Sequence, residues 1–142
     1  MFQGNSALTL DAKGRLSIPS RYRDALAELG NGRITITRSP DRCLLLYPRP
    51  VWETKRVEIA AFPAAARGFQ RLLLGNAQEV ELDNAGRALV SPEHRQFARL
   101  DREVILLGMG QYFELWDRVS YDAAEEATVA AGIPESIGDF SF

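Results

Sequence analysis

The stretch "LDAKGRL" at residues 10–16 has a close counterpart, "LDNAGRA", at residues 82–88. Both copies read apolar residue, Asp, two variable residues, Gly, Arg, apolar residue, and they begin 72 positions apart. In each copy Asp can accept hydrogen bonds from the amides of a tight turn, and Gly can supply the positive φ that such a turn needs. The pattern predicts the same turn twice in one chain.

The sequence on either side of each turn extends the repeat. After the first turn we expect a short strand, a helix through "RYRDALAEL" with Ser20 as its N-cap, and the strand pair "RITITR" and "CLLLY". The second turn is followed by "EHRQFARL", "EVILLG" and "YFELW" in the same order. Two helices broken at Pro63 separate the units, and an acidic helix ending at Gly132 follows them.

These elements predict a mainly β fold with flanking helices, of the α+β class. We divide the chain into a first repeat, inter-repeat helices, a second repeat, and a C-terminal helix with a tail, at residues 5–47, 48–75, 76–119 and 120–142.

Strand parity places the charged residues of the turns. If Leu10 and Leu16 face inward, Asp11 and Arg15 face outward and lie opposite each other across the hairpin. Asp83 and Arg87 have the same parity in the second copy. Asp then holds either the turn amides or the guanidinium. The pair is either an exposed ion pair that contributes about 0.2–1 kcal/mol to stability or a device that aims an arginine at a ligand.

The first turn has basic neighbours that the second lacks. Lys13 lies at its apex, and Arg21 and Arg23 fall in the first turn of the following helix. Cations there oppose the helix dipole, which a bound anion would explain. Partial neutralisation by Asp24 is the competing explanation. Lys13 and Arg21 are matched by Ala85 and Glu93, so we expect the two copies to bind unequally.

Overall charge hides an asymmetry between the halves of the chain. The 142 residues carry a net charge of −2. Residues 1–75 contain twelve Lys or Arg against six Asp or Glu, a net of +6, and residues 76–142 contain five against thirteen, a net of −8. Fifteen of the seventeen cations are arginine, which suits forked contacts with phosphate and guanine. Three explanations stay open: a basic binding face on an acidic body, head-to-tail attraction between subunits, or a chance distribution of charge on a solvated surface.

The sequence gives little support for a catalytic function. His94 is the only histidine, which excludes a histidine-based metal cluster, and we expect it to be exposed in the first turn of its helix. Cys43 lies in an apolar run, where a buried and inert thiol is expected. We therefore predict no enzyme activity, no cofactor, no metal and no small-molecule substrate. No apolar run is long enough to span a membrane, and the start lacks a secretory signal, so a cytoplasmic protein is expected.

The two motifs "TLDAKGRLSIPSRYR" and "ELDNAGRALVSPEHR", with the opening "MFQGN", resemble the MraZ family of bacterial transcriptional regulators. The resemblance implies an intramolecular double swapped-hairpin β-barrel of the AbrB/SpoVT type, built from the two repeats. It also implies a ring-like homo-oligomer that binds double-stranded DNA at repeated promoter boxes of the division and cell-wall gene cluster, in the cytoplasm and associated with the nucleoid.

Candidate DNA-binding residues combine the family motif with the electrostatic argument. Asp11, Arg15, Asp83 and Arg87 match the signature positions of the family, and Gly14 and Gly86 shape the same turns. Basic neighbours complete the set: Lys13, Arg21 and Arg23.

Two further expectations concern partners. A scaffold or antitoxin-like module, using the basic face to bind an acidic protein, is the alternative function. Apolar residues in "CLLLY", Trp52, Phe69 and Leu72–Leu74 exceed what a small barrel would cover, so we expect a homo-oligomer unless the inter-repeat helices fold over them.

Overall fold

Strands and helices follow one another along the chain in the repeated order that the sequence predicts. The computed structural model describes residues 1–142. Its eight β-strands are β1 Phe2–Thr9, β2 Arg15–Ser17, β3 Arg33–Arg38, β4 Leu44–Pro48, β5 Gln78–Glu81, β6 Arg87–Leu89, β7 Glu103–Gly110 and β8 Phe113–Asp117. Its five α-helices are α1 Ser20–Gly30, α2 Arg49–Ala60, α3 Arg67–Leu73, α4 Pro92–Phe97 and α5 Arg118–Ala131.

All strand pairs are antiparallel, and the fold is mixed α+β. Six strands form one sheet in the order β1-β7-β8-β4-β3-β5, and β2 and β6 form a separate two-stranded ribbon. The expected pairs β3–β4 and β7–β8 are confirmed, with Arg38 opposite Leu44 and Leu106 opposite Leu115. The sheet has β1 and β5 as its edges, so the strand pairing does not show a closed barrel.

The strands that flank each repeated turn do not pair with each other, so the simple hairpin predicted there is wrong. β1 of the first repeat pairs with β7 of the second, and β5 of the second pairs with β3 of the first. β2 pairs with β6, with Leu16 opposite Ala88. Each repeat therefore pairs its first two strands with strands of the other repeat.

The ribbon closes the larger of two hydrophobic cores. Leu16, Ile18, Ala88 and Val90 are at most 1% exposed, and they pack with Ile34, Leu44, Val104 and Leu115 of one sheet face and with Tyr22 and Leu26 of α1. Burial of this inner face leaves the other face of the ribbon directed away from the core.

A second core covers the opposite face of the sheet. Strand β4 alternates between the two cores, with Leu44 and Leu46 in the first and Leu45 and Tyr47 in the second. Trp52 of α2 and Trp116 of β8 complete it. The expectation that "CLLLY" and Trp52 form uncovered apolar surface is therefore wrong, since the chain itself covers them. Phe69, at 54% exposed, remains uncovered.

Helix boundaries agree with the turn chemistry apart from one cap. The break at Pro63 and the end of α5 at Gly132 are confirmed. The predicted N-cap Ser20 is wrong, because the extended backbone of Pro19 occupies that position and no side chain caps α1. None of the five α-helices has both the length and the apolar composition needed to cross a bilayer.

Candidate nucleic-acid interface

The first repeated turn is held by the carboxylate of Asp11. Its Oδ1 accepts hydrogen bonds from the amides of Lys13 and Arg15, both at 2.9 Å. Its Oδ2 accepts a hydrogen bond from Nε of Arg15 at 2.6 Å. Gly14 N–H donates to Asp11 O at 3.0 Å and closes the turn. One carboxylate therefore fixes both the backbone of the turn and the direction of the Arg15 side chain.

The second turn repeats this geometry bond for bond. Oδ1 of Asp83 accepts from the amides of Ala85 and Arg87 at 3.0 and 2.9 Å, and Oδ2 accepts from Nε of Arg87 at 2.8 Å. Gly14 and Gly86 have φ of +83° and +75°, a backbone conformation that is strained for residues with a side chain. The sequence left open whether Asp holds the turn amides or the guanidinium, and in both turns it holds both.

These hydrogen bonds also fix the charge of the carboxylates. The pKa of Asp11 lies below its usual value, chiefly because the Arg15 amide donates to the carboxylate, with the Arg15 guanidinium adding to the effect. Arg87 lowers the pKa of Asp83 in the same way. Both carboxylates are therefore ionised at neutral pH, and neither guanidinium is free to swing away from its turn without breaking the pair.

The ribbon brings the two arginines onto one surface. Arg15 lies opposite Leu89 and Ser17 lies opposite Arg87 across β2 and β6. Because Leu16 and Ala88 between them face the core, these four side chains share the outer face. The side chains of Arg15 and Arg87 are 29% and 34% exposed, and their terminal nitrogens make no hydrogen bond within the chain.

Lys13 is exposed at the apex of the first turn, as predicted, and only its backbone is bonded within the turn. Its counterpart in the second turn is Ala85, so the positive charge at the apex is present in one repeat only. The two ends of the ribbon therefore have the same backbone geometry and different electrostatics.

Arg21 has protein partners that the sequence did not reveal. Its Nη2 donates to Oγ of Ser6, and its guanidinium lies 4.7 Å from the ring centre of Tyr22. These contacts offer an explanation for a cation at the start of α1 that needs no bound anion, and Asp24 forms no ion pair there.

Arg23 lies against the turn of the opposite repeat. Its Nε donates to Ile18 O at 2.7 Å, and a Cβ built on Gly86 would be 2.5 Å from the same nitrogen. Arg95, 72 residues later in the sequence, lies against the first turn in the same way. Its Nε donates to Val90 O at 3.1 Å, and a Cβ on Gly14 would be 2.7 Å from it.

Two residues of this surface were missed from the sequence. Leu89 is 52% exposed on the outer face of the ribbon, beside Arg15. Strand parity could have identified it, because it alternates with the inward-facing Ala88 and Val90. Arg95 could have been found from the 72-residue spacing to Arg23.

His94 is buried, and the prediction that it is exposed is wrong. Only 1% of its surface is accessible, because α4 turns this residue toward β3. Nδ1 accepts a hydrogen bond from Nε of Arg38 at 3.3 Å, and Nε2 has no partner. Burial lowers the pKa of His94, and the nearby Arg38 charge lowers it further.

Cys43 is fully buried, as expected, and lies immediately before β4. Burial raises the pKa of its thiol to about 12, so the reactive thiolate is scarcely populated at neutral pH. No three His, Cys, Asp or Glu side chains cluster in a way that could hold a metal ion.

Known proteins provide independent evidence on the family. A family model described as "MraZ protein, putative antitoxin-like" matches residues 1–72 and again residues 73–133. "Transcriptional regulator MraZ" of Bordetella pertussis is 59% identical over 142 residues, which is 100% of both chains. The protein of the same name from Burkholderia mallei is also 59% identical over 142 residues and 100% of both chains. The resemblance of the two turn motifs is confirmed, and the chain belongs to the MraZ family.

Proposed function

We propose that the protein is a DNA-binding transcriptional regulator that reads base edges with the outer face of the β2–β6 ribbon. The observation that carries this proposal is the pair Arg15 and Arg87, each pinned through Nε and each with its terminal nitrogens unbonded within the chain. A guanidinium held in a fixed direction is suited to donate hydrogen bonds to both O6 and N7 of one guanine. The relatives from Bordetella pertussis and Burkholderia mallei are named as transcriptional regulators, which supports the same function.

The dimensions of the ribbon fit such a role. The major groove of B-DNA is about 12 Å wide and accepts a two-stranded β-ribbon. Each strand of this ribbon has 3 residues, a length of about 10 Å. The buried inner face supports the outer one, so the arginines enter the groove on a rigid platform.

The outer face is not symmetric, and this asymmetry makes the two ends unequal readers. Ser17 of the first repeat corresponds to Leu89 of the second, and Lys13 of the first corresponds to Ala85 of the second. An apolar side chain such as Leu89 can contact the methyl group of thymine, whereas Lys13 can neutralise a phosphate. Arg21 adds positive charge at the start of α1, beside Ser6, whereas Arg23 lies against Gly86 and adds its charge at the second turn.

The family resemblance supports the finer parts of the proposal. The exchange of first strands between repeats is consistent with a swapped-hairpin barrel of the AbrB type, whose two halves are residues 5–47 and 76–119. Exposed Val57 and Phe69 on α2 and α3 offer apolar surface for a ring-like homo-oligomer. Its targets would be repeated promoter boxes of the division and cell-wall gene cluster, and the protein would be found with the nucleoid.

A binding titration tests this function. The probe is a labelled duplex copied from the DNA upstream of that gene cluster, and the control is a duplex of the same composition with shuffled order. We expect the promoter duplex to bind more tightly, with the preference kept as salt weakens both. Equal and weak binding of both duplexes would exclude sequence-specific recognition.

The description of the family model also gives weight to a second function. An antitoxin-like module would use the same basic turns to bind an acidic protein partner. Both functions need Arg15, but only the regulator needs a nucleotide sequence. Indifference to both duplexes at moderate salt, with Arg15 still required to retain an acidic protein partner, would favour the second function.

A further inference from the structure

The contacts of Arg95 and Arg23 link the two repeats in a reciprocal way. Arg95 belongs to the second repeat, is anchored there on Val90 O, and lies on Gly14 of the first turn. Arg23 belongs to the first repeat, is anchored on Ile18 O, and lies on Gly86 of the second turn.

Backbone hydrogen bonds close each of these contacts into a loop. Val90 N–H donates to Gly14 O at 2.9 Å, and Val90 O accepts from Arg95, which covers Gly14. Ile18 N–H donates to Gly86 O at 3.0 Å in the matching loop. The glycine of each turn is therefore fixed from two sides by the other repeat.

Arginine is the side chain that suits this position. Its guanidinium is planar and rigid, so it can lie flat on a glycine, where no Cβ intervenes, while Nε remains bonded to a carbonyl. Lysine carries the same charge on a flexible stem and has no Nε fork. None of the six ion pairs of the chain involves Arg23 or Arg95, so their packing on the opposite turns is not a by-product of carboxylate pairing.

We propose that Arg95 and Arg23 are cross-repeat positioning residues: Arg95 holds the turn that aims Arg15, and Arg23 holds the turn that aims Arg87. The inference rests on the proposed function for its effect on binding, but its effect on the turns is a property of the free protein. It makes the two binding turns interdependent, since each repeat supplies the clamp for the arginine of the other.

Amide hydrogen exchange in the free protein gives the first test. In Arg95→Met we expect faster exchange at the amides of Lys13 and Arg15, which the Asp11 carboxylate holds, with Ala85 and Arg87 unchanged. Arg23→Met should give the reverse pattern. Equal acceleration in both turns would indicate general destabilisation and overturn the proposal, as would no acceleration in either.

DNA titration gives the second test and separates positioning from direct phosphate contact. We expect Arg95→Lys, which keeps the charge, to weaken promoter binding by about two- to tenfold, as Arg95→Met does. In the Arg15→Ala background, Arg95→Met should cause no further loss, because Arg95 acts through Arg15. The matched control is Arg102→Ala, an exposed cation on the same cleft whose side chain makes no bond in the structure.

The outcomes of the two tests are distinguishable. Full retention of binding in Arg95→Lys, with a lower salt slope in Arg95→Met, would make Arg95 a phosphate contact and overturn the proposal. If the protein bound no DNA at all, the proposed function would fail, while turn-specific exchange in the free protein would still support the clamp.

Discussion

At the scale of single residues, the Asp–Arg unit makes a weak ion pair part of a fixed turn. An exposed ion pair contributes little to stability, about 0.2–1 kcal/mol. The Asp11 carboxylate nevertheless restricts the turn and the guanidinium together, through three hydrogen bonds. The entropy of ordering Arg15 is therefore lost on folding and not on binding, which favours recognition.

Lys13 and Arg87 test the difference between the two turns. We expect Lys13→Ala to weaken promoter and shuffled DNA by similar factors and to reduce the slope of log affinity against log salt by about 1, as loss of one phosphate contact does. Arg87→Ala should weaken promoter DNA more than shuffled DNA, and less than Arg15→Ala does, because its turn lacks the apex lysine. Titrations of both variants at two salt concentrations measure this. A larger loss in Arg87→Ala than in Arg15→Ala would contradict the assigned inequality.

His94 predicts a pH dependence of folding. Burial and the nearby Arg38 lower its pKa in the folded chain, so the unfolded chain takes up the proton first. The stability that neutral His94 contributes is therefore fully present above its pKa in the unfolded chain, about 6.5. This stability is lost as the pH falls through the lower pKa of His94 in the folded chain. Urea unfolding from pH 7.5 to 5.5 should show a falling free energy of unfolding, by at most about 1.4 kcal/mol per pH unit.

The variant His94→Gln is the control for that effect. Because this is the only histidine of the chain, its removal should flatten the free energy of unfolding over the same pH range. Acid sensitivity below about pH 4 should remain, since Asp11 and Asp83 have lowered pKa values and lose their stabilising charge there. An unchanged slope in His94→Gln would assign the pH dependence to another group.

Local residue chemistry could be predicted from the sequence, and long-range burial could not. The hydrogen-bonding capacity of Asp11 and the positive φ of Gly14 follow from residue type and spacing. The burial of His94 depends on how α4 packs against β3, which the helix pattern alone does not contain. The contact between Arg23 and Gly86 joins positions 63 residues apart, so it could be identified only from the tertiary structure.

At the scale of elements, the ribbon has a buried face and an exposed face, to which we assign stability and DNA recognition, respectively. Leu16, on β2, is fully buried, whereas Leu89, on the paired strand β6, is 52% exposed. We expect Leu16→Ala to lower the free energy of unfolding by about 2–5 kcal/mol. Leu89→Ala should leave stability within about 0.5 kcal/mol of the wild type and should reduce the preference for promoter DNA. Thermal melts and titrations of the two variants measure both quantities.

A stability loss in Leu89→Ala comparable to that in Leu16→Ala would show that the outer face is part of a packed interface. Unchanged sequence preference in a stable Leu89→Ala protein would remove this side chain from base recognition.

Element positions were more predictable than element partners. The strand pairs β3–β4 and β7–β8 follow from alternating apolar residues joined by short turns, and both formed as expected. The strand pattern alone missed the partners of β1, β2, β5 and β6, because a tight turn between two strands favours local pairing by default. An exchange of strands between repeats was implied only by the family resemblance. Here the apolar faces of β2 and β6, only 3 residues long each, are buried in the ribbon that the two strands form with each other.

At the scale of the whole molecule, duplication places the two Asp–Arg turns at the two ends of one ribbon. Further turns would be added if several subunits assemble into a ring. A rigid ring holds the second turn close to a second box once the first is bound, which raises the effective concentration.

Avidity is therefore a prediction of the assembled protein. Duplexes with three boxes at helical phasing should bind at least about 10²-fold more tightly than duplexes with one box. Titration of both duplexes at constant salt, beside light scattering of the free protein, measures this. Equal affinity for one box and for three, or a monomer at micromolar concentration, would remove the ring from the mechanism.

The central claim is that the aimed guanidinium of Arg15 recognises DNA. The most direct measurement is a promoter titration of Arg15→Ala with a thermal melt of the same sample. We predict a loss of about 1–3 kcal/mol in binding free energy for each contacting subunit, with the melting temperature essentially unchanged. Wild-type affinity in Arg15→Ala, or a loss of affinity that unfolding accounts for, would contradict the claim and leave the Asp11–Arg15 pair as a structural feature of the turn.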